Sequence, residues 1–134
     1  MKGRGVTLVE LVVAMAVVAV LALVAATGYR SYVLRSHRIE ATAALLYLAT
    51  AQERFYLQNN TYTDELTAAP PDGLGLQAVT ENGFFDIAIG SADATGFEAT
   101  ATAKGRQADD SHCAAFTIDQ TGSKTATSTD CWSR

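Results

Sequence analysis

The clearest chemical signal in this chain is a carboxylate, Glu10, that lies inside an apolar stretch near the N-terminus. From Val6 to Thr27 the sequence reads VTLVELVVAMAVVAVLALVAAT, twenty-two residues with a single charge. A carboxylate at the centre of a membrane helix costs about 2.5 to 3.5 kcal/mol on insertion scales, and less near an end. Glu10 is therefore expected either to reach the headgroup region, where it would have no function, or to meet a partner that neutralises it.

Two cysteines, Cys113 and Cys131, offer a second kind of chemistry. An even count in an exported domain indicates a disulfide, and closing a loop of eighteen residues would contribute about 3 kcal/mol by the chain-entropy model. The alternative, a metal site, would need further Cys or His ligands nearby, and only His112 is offered. The disulfide is the favoured interpretation, and it places this end of the chain outside the reducing cytosol.

Other polar groups give weaker signals. Asp109, Asp110 and His112 could form a metal cluster, but no motif of spaced acidic ligands supports calcium, and a solvated loop between strands is the simpler interpretation. His37 is expected to be a surface residue of a helix. The sequence holds no nucleophile beside a base, no phosphate loop and no pair of carboxylates at catalytic spacing. It therefore predicts no enzyme, no cofactor and no bound metal.

The apolar stretch is long enough to position Glu10 in a membrane, because twenty-two residues of helix cover roughly 33 Å. Five residues precede the stretch and form a short basic leader that ends in glycine: Met1, Lys2, Gly3, Arg4 and Gly5. An ordinary secretory signal has an apolar stretch of about 7 to 15 residues, and its cleavage site follows that stretch. Here a cut after Gly5 would leave the whole apolar helix on the mature chain, so the sequence predicts a retained anchor.

Flanking charges leave the orientation of this anchor open. Lys2 and Arg4 precede the span, but Arg30, Arg35 and Arg38 follow it closely. The cysteine pair indicates the orientation, because a domain with a disulfide is expected outside the cytosol. We therefore expect a single pass through the inner membrane with the N-terminus inside and the C-terminus outside.

The residues Gly5-Val6-Thr7-Leu8-Val9-Glu10-Leu11 resemble the signature of the type IV pilin and pseudopilin superfamily: glycine, a hydrophobic residue, Thr-Leu-X-Glu, then an apolar helix. The resemblance implies cleavage after Gly5 by a prepilin peptidase and methylation of the new amine on Val6. It also implies that Glu10 pairs with that amine on a neighbouring subunit. A single buried carboxylate that is neutralised in only one axial position would set the register of a helical bundle, as buried polar groups do in coiled coils.

The chain departs from the family pattern at three positions. Val6 stands where the family most often has phenylalanine. The mid-helix glycine and the later proline that are common in major pilins read here as Ala19 and Thr27. Without proline, no amide donor is lost and no ring clashes with a preceding carbonyl, so we expect a continuous helix, with Gly28 as its weak point.

The segment after Gly28 predicts that the helix continues to about Leu57, because helix formers are abundant and proline is absent. Charged residues such as Arg38 and Glu40 lie largely outside one apolar stripe, which we expect to pack on a sheet. The members of that stripe are Tyr29, Tyr32, Val33, Ile39, Ala43, Leu46, Tyr47 and Ala51. The run QERFYLQNNTY is also similar to the PilE-like minor pilins, and Asn59-Asn60 would end the helix.

Residues 58–82 carry Asn, Pro and Gly and are expected to form a loop. Three strands are predicted at 84–89, 96–104 and 113–120, with a short fourth at 124–127, in an antiparallel meander whose tail is tied by the disulfide. The predicted fold class is α+β, the pilin fold: a long N-terminal helix packed on three or four antiparallel strands. The predicted divisions are a leader at 1–5, a membrane and polymerisation helix at 6–27, and a head at 28–134, with helix 28–57, loop 58–82 and sheet and tail 83–134.

The predicted function is a structural subunit of a type IV pilus, of the minor kind, that serves adhesion, motility or DNA uptake. Its expected partners are other pilin subunits in a homo- or heteropolymer, the prepilin peptidase, the inner-membrane assembly machinery and, before assembly, membrane lipid. Its expected location is the inner membrane, then the extracellular fimbrium. Three alternatives stay open: a type II secretion pseudopilin, a signal-anchored periplasmic binding protein that never polymerises, and a DNA-uptake pilin, which would need a basic stripe on the folded head.

The charge distribution argues against DNA as a partner. Residues 55–134 carry four basic and eleven acidic side chains, a balance of −7, within a chain whose net charge is −4. A negative surface repels phosphate backbones, so a broad basic face is not expected.

Overall fold

The computed structural model describes residues 5–133, apart from the side chain of Thr27. Most of the expected leader, residues 1–4, lies outside the described residues, as does Arg134. The elements in chain order are the helix α1 (Leu8–Asn59) and the strands β1 (Phe85–Ala92), β2 (Phe97–Ala103), β3 (Ala115–Asp119) and β4 (Lys124–Ala126). Two short 3-10 helices, Gly105–Asp109 and Ser111–Cys113, lie between β2 and β3. The predicted α+β class, with one long N-terminal helix and a four-stranded antiparallel sheet, is confirmed.

Residues up to Val33 form one of two compact units and contain the apolar part of α1. The described side chains from Leu8 to Ala26 are exposed on every side of the helix. The helix continues through Gly28, as the absence of proline predicts. By length and composition, the apolar stretch of α1 is sufficient to cross a membrane.

The second unit begins at Leu34 and contains the rest of α1 and the sheet. Ala41, Leu45 and Leu48 are fully buried and belong to the same core as Phe85 and Phe116. These helical residues recur at steps of three and four, so they form one face of α1. That face is the one that packs in the head.

The expected packing face of the helix was wrong for most of its members, although Ala51 does pack against the core. Ile39 is 70% exposed, Leu46 44% and Tyr47 65%, whereas the residues that pack in the core lie on the opposite side of the helix. The reason is that α1 is apolar on two faces, and periodicity alone does not choose between them. Arg38 and Glu40, which the prediction placed outside the packing face, each have a partner in the loops of the head.

The strands follow one another as an antiparallel meander in the order β1-β2-β3-β4. Their inward residues alternate as the sequence predicts, with the bulky side chains of Phe97 and Ile118 buried. Ala99 and Ala101 of β2 are also fully buried. A register shift between Ile89 and Ser91 marks a bulge, after which β1 continues to pair with β2.

The connection between α1 and β1 folds on itself rather than spreading into solvent. Backbone amides of Leu74 and Leu76 donate to the carbonyls of Glu65 and Leu66, each at 2.9 Å. Gly73 lies where an added Cβ would come within 2.5 Å of the Glu65 carbonyl oxygen, so a side chain does not fit there. Buried Leu66 and Leu74 anchor this loop to the core.

The C-terminal tail is fixed by the disulfide that joins Cys113 to Cys131, with 5.6 Å between their Cα atoms. Trp132 packs edge-on against Phe116, with 5.8 Å between ring centroids. Its indole N–H donates to the carbonyl of Thr125 at 2.6 Å. Trp132 thus covers a backbone acceptor of the edge strand β4, which limits unwanted strand pairing at that edge.

Candidate functional site

The signature residues form the start of α1, with Thr7 as the N-cap. The Thr7 hydroxyl oxygen accepts a hydrogen bond from the backbone N–H of Glu10 at 3.2 Å, and the Thr7 carbonyl accepts from the Leu11 N–H at 3.1 Å. A threonine followed by a glutamate three residues later has the spacing of a capping box. The motif Thr-Leu-Val-Glu therefore specifies where the helix begins.

Glu10 lies in the first turn of α1 and is exposed. The N-terminus of a helix carries a partial positive charge, which stabilises a carboxylate in the first turn. A positively charged amine supplied by another chain would stabilise it further. This geometry allows Glu10 to serve as an acceptor for such an amine.

Gly5 precedes the helix in an open environment. Among the described residues, an added Cβ at Gly5 would meet nothing within 4 Å, and the Gly5 backbone is not in the left-handed region that favours glycine. The fold of the single chain therefore does not require glycine at this position. The described part of the predicted cleavage site, Gly5 and Val6, is exposed.

A second candidate surface is the outward side of α1 in the head, which we call the apolar stripe. Its residues lie on the side of the helix opposite the core: Ile39, Ala43, Leu46, Tyr47 and Leu57. Thr50 and Arg54 are exposed on the same side and interrupt the stripe. Leu57, at 83%, is the most exposed of its large apolar side chains. An apolar face that a folded head leaves in water is typical of a protein interaction surface.

Comparison with known proteins decides the family. Residues 27–117 match the family model described as "Type IV minor pilin ComP, DNA uptake sequence receptor". The chain belongs to this type IV minor pilin family. Residues 1–26 match the model of the prokaryotic N-terminal methylation motif. The family and its fold are those of structural subunits and not of enzymes.

One curated relative is the protein named type IV major pilin protein PilA, from Myxococcus xanthus strain DK1622. It is 35% identical over 75 residues, which are 54% of this chain. The match spans only 34% of the length of the relative.

Two solved pilin structures have the same fold. A type IV pilin from Shewanella oneidensis aligns with a TM-score of 0.52 and 26% identity, over 75% of this chain and 99% of that one. The non-core minor pilin PilV from Neisseria meningitidis aligns with a TM-score of 0.56 and 23% identity, over 75% and 92% of the two chains. At that identity PilV supports the fold alone.

The head of the minor pilin partly buries His37, a residue that was expected to be solvated. His37, expected at the surface, is half-buried and stacks on Phe84 with 3.7 Å between ring centroids. Its Nδ1 lies 2.9 Å from Oε1 of the buried Gln107, whose Nε2 donates to the carbonyl of Leu34 at 3.0 Å. Because the amide nitrogen already serves Leu34, Oε1 faces His37, and the imidazole Nδ1 is the donor.

Two residues of the suspected metal cluster, Asp110 and His112, each pair with a different residue outside it. Asp110 is buried and accepts both hydrogen bonds of Arg38. His112 instead lies beside Asp130, with Nε2 at 2.9 Å from Oδ1, and this hydrogen bond lowers the pKa of the Asp130 carboxyl. The interpretation of a solvated loop therefore fails for Asp110, which is an ion-pair partner of the helix.

Ser128, His112 and Asp130 have the residue types of a catalytic triad but not its setting. Ser128 Oγ lies 3.5 Å from His112 Nδ1, a long contact. The side chains of His112 and Asp130 are 58% and 62% exposed, so water reaches both. A triad works in a site that excludes water and orients a substrate, and this surface pair does neither.

Gln52 has a structural role that the sequence pattern did not indicate. It is fully buried, and its amide bonds both backbone groups of Thr63: Nε2 donates to the carbonyl at 2.6 Å, and Oε1 accepts from the N–H at 3.1 Å. The available signal was a glutamine that falls on the same helical face as Leu45 and Leu48. A polar residue on that face needs a partner, and here the partner is the loop after α1.

Proposed function

We propose that this minor pilin is made as a prepilin and becomes a structural subunit of a type IV pilus. The prepilin peptidase removes residues 1–5, and the amine of Val6 is then methylated. Residues 6–27 hold the chain in the inner membrane with the head, residues 28–134, outside. The assembly machinery then moves the helix from lipid into a filament of pilin subunits for adhesion, motility or DNA uptake.

The observation that carries the proposal is the exposure of the two apolar parts of α1. The side chains from Leu8 to Ala26 are exposed, with no cover from the described part of the chain. Membrane lipid can cover them only before assembly. The apolar stripe lies in the head, outside the membrane in the proposed topology. Burial of a large apolar side chain contributes about 1.5 to 3 kcal/mol, so both surfaces favour packing against other pilin helices.

Glu10 supplies the register in this proposal. Thr7 fixes the start of the helix, which places Glu10 in the first turn. In the filament core, Glu10 of one subunit pairs with the amine of Val6 on a neighbour. An unpaired carboxylate among apolar helices is costly, so only the register that makes this pair is favoured.

The exposure of Gly5 supports recognition by a peptidase. Since no described residue would contact a side chain at Gly5, a narrow peptidase active site would account for glycine at this position. A Gly5→Val chain should fold normally and stay uncut. Gly28→Ala is the matched control, because an added Cβ at Gly28 would also meet no described residue within 4 Å, and this chain should be cut.

Intact mass spectrometry under non-reducing conditions tests the proposal, on protein from native membranes and from sheared filaments. We expect a chain that begins at Val6, is heavier by one methyl group and lighter by the two hydrogens lost in the disulfide, and is present in filaments. A chain that begins at Met1 and occurs only in membranes would reject the proposal and favour the signal-anchored binding protein.

The pseudopilin alternative differs in what fixes the tail of the head. A pseudopilin would depend on calcium, whereas this chain has the Cys113–Cys131 disulfide. We expect its thermal unfolding temperature to be insensitive to a calcium chelator and to fall on reduction. The opposite pair of results would favour the pseudopilin.

DNA capture is a second candidate, because the matched family model describes a DNA uptake sequence receptor. The charges of the head oppose it, and several cations are occupied: Arg38 pairs with Asp110, Lys104 pairs with Asp86, and Lys124 lies over the Trp132 ring. We expect at most weak binding that salt abolishes. A gel shift of duplex DNA that persists at moderate salt would establish this candidate instead.

A further inference from the structure

Two dipeptides, each a polar residue followed by a cysteine, lie next to each other at the end of the head. His112 precedes Cys113, and Asp130 precedes Cys131. The cysteines are joined by the disulfide, and His112 Nε2 lies 2.9 Å from a carboxylate oxygen of Asp130. Each polar residue thus pairs with its counterpart directly beside the sulfurs.

The sulfurs and the imidazole converge closely enough for one metal ion. In the described part of the chain, one ligand atom from each of His112, Cys113 and Cys131 lies within 4.8 Å of the other two. Zinc bonds to sulfur at about 2.3 Å and to imidazole nitrogen at about 2.0 to 2.1 Å, so ligands of a tetrahedral site lie roughly 3.3 to 3.8 Å apart. In the described structure the two sulfurs are bonded to each other, so reduction and rotation of the cysteine side chains must come before the three ligands take up those separations.

We propose that the reduced form of this pilin binds a zinc ion through the thiolates of Cys113 and Cys131 and the imidazole of His112. Binding displaces one proton from each thiol to solvent, and the imidazole binds in its neutral form. In the oxidised form each sulfur is bonded to the other, so neither is a thiolate. The disulfide and the metal site are therefore mutually exclusive states of the same residues.

Asp130 acts as a positioning residue in this site. A histidine that binds zinc commonly donates its other ring N–H to a carboxylate, which fixes the tautomer and raises the basicity of the ligand. Here Asp130 contacts Nε2, so Nδ1, which lies 3.5 Å from Ser128 Oγ, is the ring nitrogen available to a metal. The half-exposed position of His112 leaves the fourth coordination position to water.

The donor set selects the class of metal. Two thiolates and one imidazole suit zinc and other soft or borderline ions, whereas calcium and magnesium prefer oxygen ligands. The chain is made with reduced cysteines, and its disulfide forms only after export. Zinc held at this stage would hold the tail near its final position until a disulfide oxidoreductase takes two electrons from the thiolates and releases the ion.

Zinc binding to the full-length chain in detergent tests the proposal. The chain is reduced with a phosphine, and zinc is titrated in competition with a chromophoric chelator. We expect one zinc per reduced chain, at least a hundredfold weaker binding to the oxidised chain, and a higher unfolding temperature for the reduced chain when zinc is present. Equal binding to both forms would overturn the proposal. A lower unfolding temperature with zinc would do so as well, because it would show that the metal prefers the unfolded chain.

Surface substitutions separate the ligands from the fold. His112→Ala should weaken zinc binding by at least tenfold, and Asp130→Asn by about 10- to 100-fold. Both substitutions remove the exposed His112–Asp130 hydrogen bond, so the oxidised forms should fold, with unfolding temperatures that fall slightly and by similar amounts. Asp119→Asn, a change in a different turn of the head, is the matched control and should leave zinc affinity unchanged. A wild-type zinc affinity in the His112→Ala chain would exclude the imidazole as a ligand and refute the proposed site.

Discussion

Arg38 and Asp110 form a bidentate ion pair across the head. Arg38 Nε donates to one carboxylate oxygen at 2.7 Å, and an Nη donates to the other at 2.9 Å. The two side chains are only 17% and 8% exposed. The pair joins α1 to the segment between the two 3-10 helices, so it fixes the connection between β2 and β3 on the helix.

Removal of Arg38 should destabilise the head strongly. In an Arg38→Ala chain, Asp110 would stay buried without its partner, and we expect the free energy of unfolding to fall by about 3 kcal/mol. Lys104→Ala is the control, because the Lys104–Asp86 pair is equally short at 2.7 Å but is exposed. Its loss should cost at most about 1 kcal/mol. Urea unfolding followed by the fluorescence of Trp132 measures both, and equal losses would contradict the distinction between buried and exposed pairs.

Gln52 should stabilise the attachment of the loop after α1 to the helix. Gln52→Leu leaves the buried N–H and carbonyl of Thr63 without partners, which should lower the free energy of unfolding by about 1 to 3 kcal/mol. The matched control is Gln58→Leu on the exposed side of the same helix, with an expected change within about 0.5 kcal/mol. Unfolding in urea reports both values. An unchanged stability for Gln52→Leu would show that the amide contributes nothing beyond its volume.

Two turns at one end of the sheet should make the head sensitive to acid. The hydroxyl of Thr95 and the backbone of Thr95 and Gly96 donate to Asp93, and these hydrogen bonds lower the pKa of its carboxyl. The hydroxyl of Thr121, with backbone donors of Thr121 and Ser123, does the same for the pKa of Asp119.

A carboxyl whose pKa is lower in the folded chain contributes stability that is complete above its unfolded pKa, about 4. That stability is lost as the pH falls through the folded pKa. Unfolding temperature should therefore be steady between about pH 5 and 7 and decline at lower pH. Asp93→Asn and Asp119→Asn chains should show a shallower decline, and slopes identical to wild type would exclude these turns as its cause.

The sequence predicted the architecture well because its signals are local. A run of apolar residues without proline predicted one long helix, and alternation around Phe97 and Ile118 predicted strands and their inward faces. Asn60, whose φ is 53°, ends the helix as the Asn-Asn pair indicated. Each of these features depends on neighbouring residues alone.

The packing side of α1 could not be predicted in the same way. Leu45 and Leu48 on one side and Leu46 and Tyr47 on the other give similar patterns, and burial was decided by contacts distant in the chain. Arg38 finds Asp110 at a separation of 72 residues. His37 and Arg38 were expected to face solvent. Each instead bonds a residue of the connection between β2 and β3, and no local pattern specifies the position of that connection.

The apolar stripe provides the most direct test of assembly. Tyr47→Ser removes a large side chain that is 65% exposed in the single chain. The free energy of unfolding should change by no more than about 0.5 kcal/mol. In a filament, loss of its burial should cost about 2 kcal/mol, which corresponds to more than a tenfold decrease in incorporation. Quantitative blotting of sheared filaments and membranes measures this ratio.

Ala88→Ser, on the exposed face of β1, is the control and should enter filaments normally. If Tyr47→Ser enters filaments as well as Ala88→Ser does, the stripe is not part of the subunit interface, and assembly must depend on the N-terminal apolar helix alone.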